Sequence, residues 1–209
     1  LFMLPTNGGE ALVVIAAILF ELTLPLTPAQ ILWINMVTSS TLGLALAFEP
    51  AEDGLMRRRP RPPGASLLSG FFVWRVLLVS VLMMTGALGL FLWELSLGTG
   101  LETARTMAVN AIVVAEMFYL LNSRHVLASV LNWKGLTGNR VALWAIAACV
   151  PLQLAFTHLP LMQSIFGSTD LHAVEWLKVL AAGLLVFSVA ELEKLVIRRS
   201  PLAGRLTAV

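Results

Sequence analysis

The sequence predicts an all-α membrane protein, a six-transmembrane-helix bundle with both termini cytoplasmic. Three observations carry that prediction. Of the 209 residues, 58% are hydrophobic and only 12% are charged, whereas soluble domains carry about 25% charge. Six windows approach or exceed the roughly 20 apolar residues needed to cross hydrocarbon; they fall near 1–24, 29–48, 67–93, 104–122, 139–159 and 173–197. Lysine and arginine are also sorted to one side. Arg57, Arg58, Arg59, Arg61, Arg75, Arg124, Lys134, Arg140, Lys194, Arg198, Arg199 and Arg205 lie on one face of the predicted bundle, and only Arg105 and Lys178 on the other. Basic loops stay in the cytoplasm, so the twelve-residue side is the inner one. The same sorting accounts for the pI near 9.1 without a nucleic-acid partner.

Taken in order, the first window opens inside an apolar run, without a start methionine or a helix cap, as expected of a piece of a longer protein. It contains "LPTNGGEALVV". Pro5 removes a backbone donor and Gly8 and Gly9 soften the helix, so loosened carbonyls are expected there. Pro25 and Pro28 in "TLPLTPAQ" force a tight turn into the second window. That window ends in "FEPAEDGLMRRRPRPPGAS", a polar Pro/Arg-rich loop. "LSLGTGLETART", "NSRHVLASVLNWKGLTGNR" and "LPLMQSIFGSTDLHAVE" join the remaining spans. The expected units are therefore 1–48, the loop 49–66, a four-span bundle 67–199 and a tail 200–209. Trp33, Trp74, Trp93, Trp133 and Trp176 fall near span ends, as interfacial belts do. Cys149 sits alone in an apolar run, which excludes an internal disulfide. P-loop, nucleophile-elbow, HExxH and dinucleotide-loop patterns are all absent.

Polar side chains at membrane depth are costly and mark function. Asn7 and Glu10 are three apart and share a helix face. A carboxylate, an amide oxygen and freed carbonyls suit a hard cation. In "NMVTSST", Asn35, Thr38 and Ser39 again share one face, all neutral oxygen donors; Ser40 and Thr41 read as interhelical glue. Glu116, in "MAVNAIVVAEMFYLLNS", is flanked by Val, Ala, Met and Phe and must hold a cation, take up a proton or reach the interface. Asn110 lies about 120° away around that helix. Glu21, His125, His158 and His172 fall at span ends without ligand spacing, and Pro151 and Gln153 read as packing features.

"PTNGGE", "LPLTPAQILWINMVTSSTLGLALAFEP", "LMRRRPRPP" and "AEMFYLLNS" together resemble the C-terminal membrane half, helices five to ten, of P-type cation-transporting ATPases, with the calcium-pump-like type II group and its bacterial relatives the nearest in pattern. The match is dense over 5–75 and 104–125 and mostly hydropathic over the last two spans. The resemblance implies an ion-binding role for Asn7, Glu10, Asn35, Thr38, Ser39 and Glu116, with Asn7, Glu10, Asn35, Thr38 and Glu116 as the metal-ligand set, and no catalytic residue in this chain. It implies that the loop carrying Arg57, Arg58, Arg59 and Arg61 couples a soluble phosphorylation domain to the ions. Where calcium pumps place Asp after the Thr, this chain has Ser39, which removes one negative charge; ligand charge count governs cation affinity, so one divalent ion, monovalent ions or protons fit better than an unaltered two-calcium site. ATP and Mg would belong to domains outside this chain, which has no DKTGT, TGE or nucleotide-binding segment. The implied partners are the transported cation, the lipid bilayer and the remaining helices and cytoplasmic domains of the parent pump, in a bacterial plasma membrane. A free-standing six-span channel or secondary transporter, or a non-transporting scaffold, are the competing expectations.

Overall fold

A computed structural model describes residues 2–49, 70–125, 128–131 and 137–199. Among them the chain is wholly helical. The elements are α1 (Met3–Leu19), α2 (Pro28–Thr38), α3 (Gly70–Ser96), α4 (Leu101–Ser123), α5 (Arg140–His158), α6 (Pro160–Phe166) and α7 (Ala173–Arg199). α2 runs on through a π-turn at Ser39–Gly43 and a 3-10 turn at Leu46–Phe48. Five segments are long and apolar enough to cross a membrane: Pro28–Phe48, α3, α4, α5 and α7. α1 is apolar but has only 17 residues, so it stops short of its sequence window. Its end is set at Glu21, which turns the chain with a φ of 53°, a conformation costly for a residue with a Cβ.

α4 is the axis of the bundle. Within its apolar window 83% of residues are buried inside the protein, against 22–33% for the other four candidate spans. That contrast is what a central helix ringed by lipid-facing neighbours produces. α1 packs on α3, α4 on α3 and α7, and α2 on α4 and α5. Thr106, Asn110, Glu116 and Asn122 of α4 are therefore all buried inside the protein.

Two expectations are corrected. Pro5, Gly8 and Gly9 do not break the first helix. Pro5 lies in its first turn, where few backbone donors have partners to lose, and α1 continues unbroken to Leu19. The glycines serve contact instead: a Cβ on Gly8 would lie 2.4 Å from Ser80 Oγ, and one on Gly9 2.8 Å from Met83 Cβ. Ser80 Oγ donates to the Pro5 carbonyl at 2.9 Å, which seats α1 on α3. Trp33, expected in an interfacial belt, is 4% exposed. It stacks on Phe156 at 5.6 Å and Phe166 at 5.1 Å, and its Nε1 donates to Gln153 Oε1 at 3.3 Å. Trp74 and Trp93 are exposed, as belt residues would be; Trp133 lies outside the described residues.

α6 lies within the stretch expected only to join the last two spans. It starts with Pro160 at its first position and stops at Gly167, whose φ is 62°, the usual proline-start and glycine-stop pattern. It lies against the start of α2, where Gln30 Nε2 donates to the Phe166 carbonyl at 3.1 Å.

Candidate cation site

Glu10 of α1, Asn35 and Thr38 of α2 and Glu116 of α4 come together. α2 is placed by its own start: Thr27 and Gln30 form a reciprocal capping box and Pro28 opens the helix. This sets Asn35 opposite α1, where its Nδ2 donates to Glu10 Oε2 at 2.7 Å and to the Ile31 carbonyl at 3.1 Å. Glu10 is 4% exposed and its other oxygen, Oε1, has no hydrogen-bond partner. Glu116 is fully buried, and neither of its oxygens has a well-formed hydrogen bond. The hydroxyls of Thr38 and Thr6 flank it, and it lies within electrostatic reach of Glu10.

Beside this pair a cleft of about 220 Å³ is lined by Asn7, Glu10, Ala11, Val14, Ile31 and Asn35. Asn7 borders the cleft but is exposed. Ser39 is half-buried and begins the π-turn; among the described residues it makes no hydrogen bond to either carboxylate. Thr41 turns back on its own helix, donating to the Val37 carbonyl at 2.7 Å. Asn110 belongs to the α4–α5 contact, donating to Thr106 O and Thr157 Oγ1. Arg57, Arg58, Arg59 and Arg61 lie outside the described residues, as does most of the 49–66 loop and the whole 200–209 tail.

Thr6 is the residue that the sequence reading missed. It is 1% exposed and sits four positions before Glu10, the other same-face spacing on a helix. Scanning i, i+4 as well as i, i+3 around Glu10 would have found it.

The chemistry of the set is one-sided. Three buried carboxylate oxygens lack a well-formed hydrogen bond, and no Lys, Arg or His forms a salt bridge with Glu10 or Glu116 among the described residues. Uncompensated buried charge is prohibitive, so the arrangement requires a cation or protons. Among the described residues no three His, Cys, Asp or Glu side chains converge. The available ligands are thus two carboxylates with neutral hydroxyl and amide oxygens, a hard-cation set.

A helical bundle with five segments long and apolar enough to cross a membrane, and two buried acidic side chains inside it, is of the class of integral membrane domains with a polar interior. Comparison places it further: residues 23–196 match the family described as "Cation transporting ATPase, C-terminus". The chain belongs to that family, the C-terminal membrane part of P-type cation-transporting ATPases. It is 46% identical over 179 residues to the "Probable cation-transporting ATPase F" of Mycobacterium tuberculosis, covering 85% of this chain and 20% of that protein. A cation-transporting ATPase of Synechocystis is 35% identical over 182 residues, covering 84% of this chain and 20% of its own length. A calcium-transporting ATPase of Bacillus subtilis is 28% identical over 180 residues, covering 86% and 20%. The chain thus spans about a fifth of the length of the curated relatives it matches.

Proposed function

We propose that this chain is the ion-binding and translocating membrane portion of an ATP-driven P-type cation pump. The observation that carries the reading is the pair Glu10 and Glu116, buried with three oxygens unpaired and met by Asn35, Thr38 and Thr6. Such a pair holds a cation when the site faces one side of the membrane and exchanges it, for protons or another ion, when it faces the other; a ligand that binds one conformation better shifts the balance between them. Asn7 stands at the edge of the cleft, and Ser39 follows Thr38 at the start of the π-turn.

In this reading α1 is the first of six spans, shorter than the rest, and both ends of the chain lie in the cytoplasm, a reading supported by the sorting of the basic residues. The 49–66 loop with Arg57, Arg58, Arg59 and Arg61 transmits the state of a phosphorylated soluble domain to α2 and α3. ATP and Mg act on that domain, outside this chain. The membrane is a bacterial plasma membrane, in keeping with the mycobacterial and cyanobacterial relatives. Two carboxylates with Ser39 in place of a third favour a single divalent ion, or monovalent ions or protons, as cargo.

The test is made in the full-length pump. Glu10→Gln and Glu116→Gln each remove one negative charge at nearly constant shape. Cation-stimulated ATP hydrolysis and phosphoenzyme formation should then need at least tenfold more cation, or be lost, with calcium, manganese, magnesium, sodium and potassium each titrated. Unchanged cation dependence in both variants would overturn the reading.

A further inference from the structure

Two arginine–carboxylate pairs hold the ends of α2 and α3 that flank residues 50–69. Glu49 closes the described part of the α2 segment. Arg124, just past α4, reaches both of its oxygens, with Nε at 3.1 and 3.0 Å and Nη2 at 3.1 Å. Asn139, which caps α5, donates to Glu49 Oε2 at 2.7 Å. On the α3 side, Arg75 pairs with Glu193 of α7 and lies over the Phe71 ring at 4.9 Å.

Both pairs rest on one support. The stretch after α4 is tied to α7 by Lys194, which is fully buried and donates to the Asn122 carbonyl at 2.6 Å and to Glu191 Oε1 at 2.9 Å. Glu191 in turn accepts from Asn122 Nδ2, Ser129 Oγ and the Val130 N–H. The arginine pairs are themselves nearly dry: side-chain exposure is 1% and 21% for Arg124 and Glu49, and 4% and 9% for Arg75 and Glu193. Buried ion pairs often contribute little net stability against apolar replacements, but a bidentate arginine fixes geometry. Their arrangement is that of moorings.

We propose that Glu49–Arg124 and Arg75–Glu193 are positioning pairs that anchor the inner ends of α2 and α3 to the α4–α7 support, so that force arriving at residues 50–69 works against a fixed point and deforms α2 at its π-turn. Glu49 lies eleven residues beyond Thr38, roughly 16 Å along a helix, and the π-turn Ser39–Gly43 lies between them. Loss of a mooring therefore spares the cation ligands and spoils the coupling. This inference rests on the pump reading, which fails separately if Glu10→Gln and Glu116→Gln leave cation dependence intact.

The experiment uses the full-length pump in sealed vesicles, with half-saturating cation, ATP turnover and cations moved per ATP measured together. Glu49→Gln and Arg124→Gln should each lower the number of cations moved per ATP at least threefold, with half-saturation within twofold of the parent. The reversed pair, Glu49→Arg with Arg124→Glu, should recover at least half of the lost ratio. An unchanged ratio in the single variants, or half-saturation moved more than threefold, overturns the proposal; so does a reversed pair that folds but does no better than the single variants. If the reversed pair does not fold, Glu49→Asp decides: a shortened carboxylate that leaves the ratio intact also overturns it.

Discussion

α1 and α2 both bring side chains to the candidate site, yet they are held differently. α1 is seated mainly by shape: two glycines remove side chains so that Ser80 and Met83 of α3 can press on its backbone, with one hydrogen bond from Ser80 to the Pro5 carbonyl beside them. α2 is held by polar bonds along its length, from the capping box and Gln30 at one end, through Trp33 and Gln153, to Glu49 with Arg124 and Asn139 at the other. Shape gives a seat with no alternative register. Polar bonds fix a helix by direction as well as by contact, as the bidentate Arg124–Glu49 pair does. The helix held by polar bonds is also the one that contains a π-turn, directly after Thr38, a feature often found at functional sites.

That contrast can be broken most directly at Gly9. Gly9→Val would thrust a branched side chain where a Cβ alone already lies 2.8 Å from Met83 Cβ. Overpacking of this kind costs about 1–3 kcal/mol. The thermal unfolding midpoint of the full protein in detergent should fall by several degrees, and cation affinity with it; an unchanged midpoint would show that α1 is not seated by shape. A smaller effect is expected at Trp33. Trp33→Phe keeps the stack on Phe156 and Phe166 but removes the hydrogen bond to Gln153, a loss of about 1 kcal/mol. Half-saturating cation should shift two- to fivefold with folding preserved, and no shift would detach Trp33 from the placement of Asn35. The smallest effect lies at the exposed turn after α6. The hydrogen bond from His158 Nδ1, at 2.8 Å, holds the Asp170 carboxyl below its ordinary range. A depressed carboxyl stabilises the fold above its unfolded pKa and ceases to do so as pH falls through the folded value. Asp170→Asn should therefore flatten the acid-side slope of thermal stability below about pH 4, while leaving transport at neutral pH within twofold.

Much of this was legible in the sequence because membrane helices declare themselves by hydropathy, and because buried carboxylates are rare enough to stand out. Glu10, Asn35, Thr38 and Glu116 were found that way and do converge. What stayed hidden was of three kinds. The glycines were read as softness because a local rule says nothing of the Ser80 and Met83 side chains that fill the space beside them. Trp33 was read as an interfacial residue because position along a span does not reveal which face is covered. The pairs Glu49–Arg124, Arg75–Glu193 and Glu191–Lys194 looked like ordinary inner-side charges. Two of these pairs join residues 75 and 118 positions apart, a separation that periodicity cannot bridge.

Gln30 sets a timetable for assembly. Its Oε1 accepts from the Thr27 N–H to begin α2, while its Nε2 needs the carbonyl of Phe166, 136 residues later. At about 5–20 residues per second, that carbonyl is made roughly 7–27 seconds after the amide it satisfies. A buried amide left without its partner costs about 1–3 kcal/mol. The helix that carries Asn35 and Thr38 thus gains this fastening at its start only after Phe166 has been made, so a truncation between Asn139 and Phe166 would leave the Gln30 amide without its partner while the bonds from Arg124 and Asn139 to Glu49 remain.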